Sequence, residues 1–215
     1  MQRNRIRFGR GENIKFISHL DIIRLWERAF RRAGIPLAYS EGFNPHPRMS
    51  LAAPLALGVT SEAELMDVFL SRPVTPHWFI TAISQQLPPG IEIHDVFQTA
   101  LTMASLQSQV RYAEYRVYLD AADAGGRDIS DCVEDLLALE TLPWQHRRDT
   151  GARSYDLRAL IDEIRVLDTT NTGSVLEMRL RCDSSGSGRP EQVVLALGIQ
   201  QYPASIHRTR LLLDT

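Results

Sequence analysis

Residues 16–53 read FISHLDIIRLWERAFRRAGIPLAYSEGFNPHPRMSLAA, a helical pattern running into a loop of unusual composition. Ser18 followed three residues later by Asp21 has the spacing of a capping box ahead of an apolar-periodic run. A helix is therefore expected to begin near Ser18. At about 100° per residue, with Leu20 at zero, Leu25, Ala29, Ile22, Ala33, Trp26, Phe30 and Ile23 fall between about 140° and 300°, an arc that faces a core. Arg24, Arg28, Arg31 and Arg32 fall between about 20° and 120° on the same wheel, beside Asp21. Gly34 suits a left-handed helix end, and Pro36 lies where the helix cannot continue.

Only Asp21 and Glu27 lie near enough along this helix to pair with four arginines, which leaves positive charge for a partner. In the loop that follows, Tyr39, Ser40, Gly42, Phe43, Asn44, Pro45, His46, Pro47, Arg48 and Ser50 combine two prolines with polar and aromatic groups. Asn44 and His46 each precede a proline and are pushed into extended geometry, so the loop should be stiff. Stiff polar and aromatic loops suit recognition, because little ordering entropy is lost on binding. Gly42–Pro47 is expected beside the N-terminus of the helix, with His19 and His46 on one side.

Working outward, Arg5–Arg10 and Ile14–Ile17 read as extended segments about a Gly-Glu-Asn turn, with Ile6 and Phe8 on one face and arginines on the other. Leu37–Leu57 reads as extended chain interrupted by the loop, and Glu62–Leu70 as a further strand. Thr75 and Pro76 open a second helix burying Phe79, Ile80, Ile83 and Leu87, and Ile91–Gln98 closes the unit. The order βαββαβ is the ferredoxin-like arrangement, an antiparallel sheet with helices on one face. Residues 99–110 read as a linker, which divides the chain into an N-terminal domain over 1–100 and a C-terminal α+β domain over 110–215. In the second domain Tyr112–Leu119 alternates as a strand, Asp128 caps a helix, and Pro190 opens another. Strands follow around 144–147, 153–167, 174–182 and 207–213, with a flexible loop at Asp183–Gly188. A second ferredoxin-like unit is the expectation, although no internal repeat shows.

The segment FISHLDIIRLWERAFRRAGIPLAYSEGFNPHPRMSLAAPLALGVTSEAE resembles the signature of a bacterial family of unknown function called radical-SAM-linked proteins. SYDLRALI at Ser154–Ile161, RPEQVVLAL at Arg189–Leu197 and the RTRLLL ending are similar to that family too, so the likeness spans nearly the whole chain. The resemblance implies a radical S-adenosylmethionine protein as partner and brings no mechanism with it.

The 215 residues carry a net charge of −2, which hides an asymmetry. Residues 1–50 hold ten Lys and Arg against four acids, the remainder 14 against 22. The positive end is the end with the arginine helix and the loop, which favours an anionic partner there. No apolar run reaches the roughly 18 residues of a membrane span, and a cytoplasmic location is expected. Cys132 and Cys182 read as two buried thiols. Two distant cysteines cannot hold an iron-sulfur cluster, so this is not itself a radical enzyme. No Walker loop, GxGxxG or GxSxG motif occurs, no histidines pair at metal-ligand spacing, and no cofactor is expected. Asp156 and Arg158 share a strand face and are read as structural.

These readings leave a non-catalytic RNA-binding or substrate-presenting protein that works with a radical SAM enzyme. Its contacts to RNA or partner would come from Arg24, Arg28, Arg31, Arg32, Tyr39, Ser40, Phe43, Asn44, His46 and Arg48. The alternatives are an RNA-processing or RNA-modifying enzyme using His19 or His46 with Tyr39, since imidazole titrates near neutrality, and a pure protein-interaction module.

Overall fold

The computed structural model describes residues 1–120, 128–148, 151–170 and 172–214. The fold is mixed α and β with mostly antiparallel pairing. It divides into two compact units, Met1–Val110 with the residues from Leu213 onward, and Arg111–Leu212.

The first unit runs β1 (Gln2–Arg10), α1 (His19–Arg32), β2 (Met49–Leu51), β3 (Thr60–Leu70), α2 (Pro76–Ser84), β4 (Ile91–Thr99) and a single turn, α3 (Leu106–Gln109). β1 pairs antiparallel with β3, from Gln2 opposite Leu70 to Arg10 opposite Ser61, and on its other side with β4. β2 pairs with β3 at Val68, Asp67 and Met66, which gives the order β4-β1-β3-β2.

Alternation along β1 and β3 sends Ile6, Phe8, Met66 and Val68 to one face, where α1 and α2 cover them. Ile22, Trp26, Ala29 and Phe30 are the buried side of α1, the centre of the expected apolar arc. Trp26 lies edge-on to Phe8 at 5.0 Å and stacks on Phe30 at 5.3 Å, and Phe30 reaches Phe79 of α2 at 5.9 Å. These rings fix both helices over the sheet, through area burial and their preferred aromatic geometries.

Arg5 lies opposite Ile6 and Phe8, as the alternation expected, and is buried there, with Arg3, around Asp67 of β3. Arg3 donates to the Asp67 carboxylate at 2.5 and 3.0 Å, and Arg5 at 2.8 and 3.0 Å. Arg3 also donates to the carbonyls of Met103 and Ala104, and Arg5 to Gln109. Residues 99–110, read as a plain linker, thus close over this face, with Leu106 fully buried. Arg10 is buried as well and donates to the carbonyls of Ile14 and Ile17. Part of the N-terminal excess of charge is therefore internal and unavailable to a partner. The expected Gly-Glu-Asn turn is a 3-10 turn over Glu12–Ile14, Ile14–Ile17 forms no strand, and of Leu37–Leu57 only Met49–Leu51 forms a strand.

The second unit runs β5 (Val110–Asp120), α4 (Ile129–Ala138), β6 (Pro143–Arg148), β7 (Gly151–Asp156), β8 (Ile161–Thr170), β9 (Gly173–Arg181), α5 (Pro190–Ala196) and β10 (Ser205–Leu213). β5 pairs antiparallel with β9 from Tyr112 opposite Arg181 to Asp120 opposite Gly173, β9 pairs with β8, and β10 flanks β5. The order is β10-β5-β9-β8, and β6 and β7 form a separate hairpin. A Cβ at Gly173 would stand 2.1 Å from the carbonyl oxygen of Leu119, so only glycine lets β9 start this close to β5.

Asp183–Gly188, expected to be flexible, is a turn held by Asp183. That carboxylate accepts from the Ser185 and Gly186 amides and from Arg181. Burial pushes its pKa up, but hydrogen bonds from Ser185 and Arg181 outweigh that and hold it at about 2. Among the described residues no helix is long and apolar enough to cross a membrane.

Candidate nucleic-acid interface

The basic face of α1 forms as its periodicity requires. Ser18 caps the helix by accepting from the Asp21 amide at 3.2 Å, and its hydroxyl donates to the Asp21 carboxylate at 2.7 Å. That hydrogen bond, with the charges of Arg24 and Arg28, holds the Asp21 carboxyl below the usual range. Arg24 pairs with Asp21 at 3.3 Å and Arg31 with Glu27 at 2.9 Å. Both pairs are exposed, so they hold their arginines only loosely. Arg32 donates to the side-chain and backbone oxygens of Gln86, at 3.1 and 2.6 Å, and Arg28 donates to the Arg24 carbonyl at 3.2 Å. Two carboxylates thus face four exposed guanidinium groups. Arg28 and Arg32 have no ion-pair partner among the described residues.

The loop after α1 is ordered at its base and open at its tip. Tyr39 and Pro47 form a bridge, the Ser40 amide donates to the His46 carbonyl at 2.9 Å, and the His46 amide donates to the Ser40 hydroxyl at 3.0 Å. The tip Gly42 has φ +120°, a conformation that favours glycine. Phe43 beside it is fully exposed, and Asn44 and His46 are exposed. The Arg48 guanidinium stands 4.5 Å over the ring of Phe69, a cation–π contact that fixes where the returning chain meets β3.

This loop is not beside the start of α1. Leu37 bridges Leu70, Ala38 donates to Phe69 and Phe69 donates to Arg48, and Leu70 lies opposite Gln2 at the beginning of β1. α1 starts instead near the other end of β1, where Arg10 holds Ile14 and Ile17. His19 opens α1 and is half-buried, while His46 lies beyond the last turn. At about 1.5 Å per residue the helix separates them by roughly 20 Å. Tyr39, Ser40, Phe43, Asn44, His46 and Arg48 are therefore gathered at one end, and His19 stands apart from them.

The sequence reading missed a groove on the flank of α1, with a volume of about 860 Å³. Ser18, Asp21, Leu25, Arg28 and Arg32 form one wall at helical spacing, and Gln85–Pro88, the chain leaving α2, forms the other. Phe16 and Leu57 also line it and are its most exposed apolar side chains. The signal for Phe16 was present: Ile14 and Ile17 enter the core, and an aromatic between them is left outside it.

Asp156 and Arg158 serve structure. Asp156 accepts from the amides of Leu142 and Arg158, and the Arg158 guanidinium donates to the carbonyls of Leu137 and Ile161. Cys132 is buried, whereas Cys182 is only half-buried, and neither is in a disulfide. Among the described residues no group of three or more His, Cys, Asp or Glu is placed to hold a metal ion.

A model of one family, described as an uncharacterized protein conserved in bacteria (DUF2344), matches residues 3–190. No curated protein matches. Among solved structures, the chain is similar to one in a Cbf5-Nop10-Gar1 complex, with a TM-score of 0.54, 10% identity, and coverage of 97% of this chain and 48% of that one. A chain of the archaeal box H/ACA sRNP Nop10-Cbf5 complex gives a TM-score of 0.51 at 10% identity, with the same coverage. A chain of an H/ACA RNP bound to a substrate RNA containing 2'-deoxyuridine gives 0.50 at 12% identity, covering 97% and 47%. The protein spans about half the length of these chains, and at such identity the likeness is one of fold.

Proposed function

The chain belongs to the family described as an uncharacterized protein conserved in bacteria (DUF2344), and from that premise we propose that it is a non-catalytic RNA-binding or substrate-presenting protein. The observation that carries this reading is the exposed arginine face of α1, whose four guanidinium groups meet two carboxylates among the described residues. Arginine is suited to phosphate by its planar fork of donors, and its charge excess here is not consumed within the helix. The loop at the end of α1 adds exposed Tyr39 and Phe43, on which unpaired bases stack. Two of the structural neighbours come from an H/ACA sRNP and from an H/ACA RNP bound to a substrate RNA, which agrees with an RNA ligand. The strand orders β4-β1-β3-β2 and β10-β5-β9-β8 support reading each unit as a ferredoxin-like βαββαβ, the second with a hairpin inserted. The resemblance to radical-SAM-linked proteins supplies the counterpart, a radical SAM enzyme to which RNA would be presented. The separation of His19 from His46 argues against an acid–base pair built from them, which is why binding is preferred to catalysis.

The test is the variant with Arg24, Arg28, Arg31 and Arg32 all replaced by glutamine, which keeps helix propensity and the apolar face. If the four neutralise about four phosphates of a single strand, log K falls with log salt at a slope of roughly −3. The variant should lose that slope and bind RNA at least about tenfold more weakly, while circular dichroism stays that of the parent. RNA crosslinked to the parent in cells and sequenced identifies the ligand. A folded variant that binds RNA as the parent does and loses only a protein partner would establish the interaction-module reading instead.

A further inference from the structure

We propose that the groove on the flank of α1 holds one unstacked base of a single-stranded RNA whose phosphates follow the arginine face. The inference rests on the RNA-binding reading above and adds to it where, and by what chemistry, a base is held.

Three observations carry it. The first is the set of apolar surfaces the groove leaves in water. Phe16, 72% exposed, and Leu57, 57% exposed, line it, with Leu25 and Leu87 half-buried beside them. Lys15 Nζ lies 5.3 Å from the Phe16 ring centroid and is itself paired to Glu12 at 2.6 Å. A flat aromatic solute is what removes such a ring and its aliphatic neighbours from water together.

The second is the polar pattern. Gln86 accepts from Arg32 through its side-chain oxygen, which fixes the orientation of the amide. Its NH₂ makes no hydrogen bond among the described residues. That group donates, which suits a carbonyl acceptor on a base edge such as that of uracil. The third is the charge. Arg28 and Arg32 belong both to the arginine face and to the groove wall, so a strand on the face has its nearest base at the opening. A groove made for an apolar helix of a protein partner would not set Asp21, Arg28 and Arg32 along one wall. The volume of about 860 Å³ falls within the usual range of small-ligand clefts and exceeds what a single base needs.

The experiment compares two probes of equal length, an eight-residue oligouridylate, chosen because its bases barely stack on one another, and the same ribose-phosphate chain without bases. The parent should bind the oligouridylate roughly five- to a hundredfold more tightly than the abasic chain. Phe16→Ala should lose the part of that preference the groove supplies, a drop of roughly fivefold or more in oligouridylate affinity, keep the abasic affinity and salt slope of the parent, and keep its thermal transition, since Phe16 is exposed. Equal binding of the two probes by the parent, or oligouridylate binding by Phe16→Ala as tight as the parent's, overturns the proposal. In either of those cases, loss of binding in the four-arginine variant leaves the RNA-binding reading standing. Failure of the parent to bind either probe removes both. A Phe16→Ala variant that keeps the base preference and loses only a protein ligand assigns the groove to a protein and also overturns it.

Discussion

Asp67 accepts from two guanidinium groups in the interior of the first unit, and its accessible surface there is nil. A carboxylate so placed is tolerated because Arg3 and Arg5 saturate it, and the remaining donors of Arg3 are in turn taken by main-chain carbonyls. Such a cluster is a poor source of net stability, since desolvation offsets much of the attraction, but breaking it strands charge in a dry place. Asp67→Asn, nearly the same in shape, should therefore cost about 3–5 kcal/mol in urea denaturation. A loss under 1 kcal/mol would show that water reaches the two arginines. The cluster was not legible in the sequence. Alternation put Arg5 across from Ile6 and Phe8, but period-two patterning cannot say whether the far face meets water or a returning chain, and Arg3 and Asp67 were not read. Here Met103, Ala104 and Gln109 return over it, a contact about a hundred residues away along the chain.

At the scale of the element, α1 was the most legible part of the molecule, because its limits are written locally. Ser18 caps it, Gly34 ends it at φ +66°, and the 3.6-residue period separates the buried from the charged side. Ser18→Ala should cost about 1 kcal/mol of stability by removing the acceptor for the Asp21 amide, measured by chemical denaturation. The same change removes the donor that holds the Asp21 carboxyl low, so by carboxyl titration the Asp21 pKa should rise toward the ordinary value. An unchanged titration would mean that Arg24 and Arg28 alone set it. The loop after α1 was legible in its chemistry and not in its place. Its prolines and Gly42 announce a stiff excursion, but its position at the far end of α1 follows from Leu37, Ala38 and Arg48 meeting the last residues of β3, and no local rule encodes that meeting.

For the whole molecule, the succession of strands and helices in the first unit followed from periodicity and capping residues, and the strand order gives it its form. In the second unit, β5, α4, β6, β9, α5 and β10 were read near their observed limits, whereas β7 and β8 were merged into one strand over 153–167. The 3-10 turn at Arg158–Leu160 parts them, and the run Leu157, Arg158, Ala159, Leu160, Ile161 holds no glycine, proline or asparagine to announce a break. The two thiols of this unit, one on the inner side of α4 and one just past β9, give it a pair of clocks. Cys182 should be modified by an aromatic disulfide reagent quickly and without any unfolding. Cys132, 7% exposed, should wait for α4 to lift from the sheet, so its rate should report the free energy of that opening and rise steeply with urea while that of Cys182 barely changes. If both react together in the native protein, α4 opens far more readily than its packing implies. The unit thus carries its own measure of how often it comes apart, readable with a spectrophotometer and no added label.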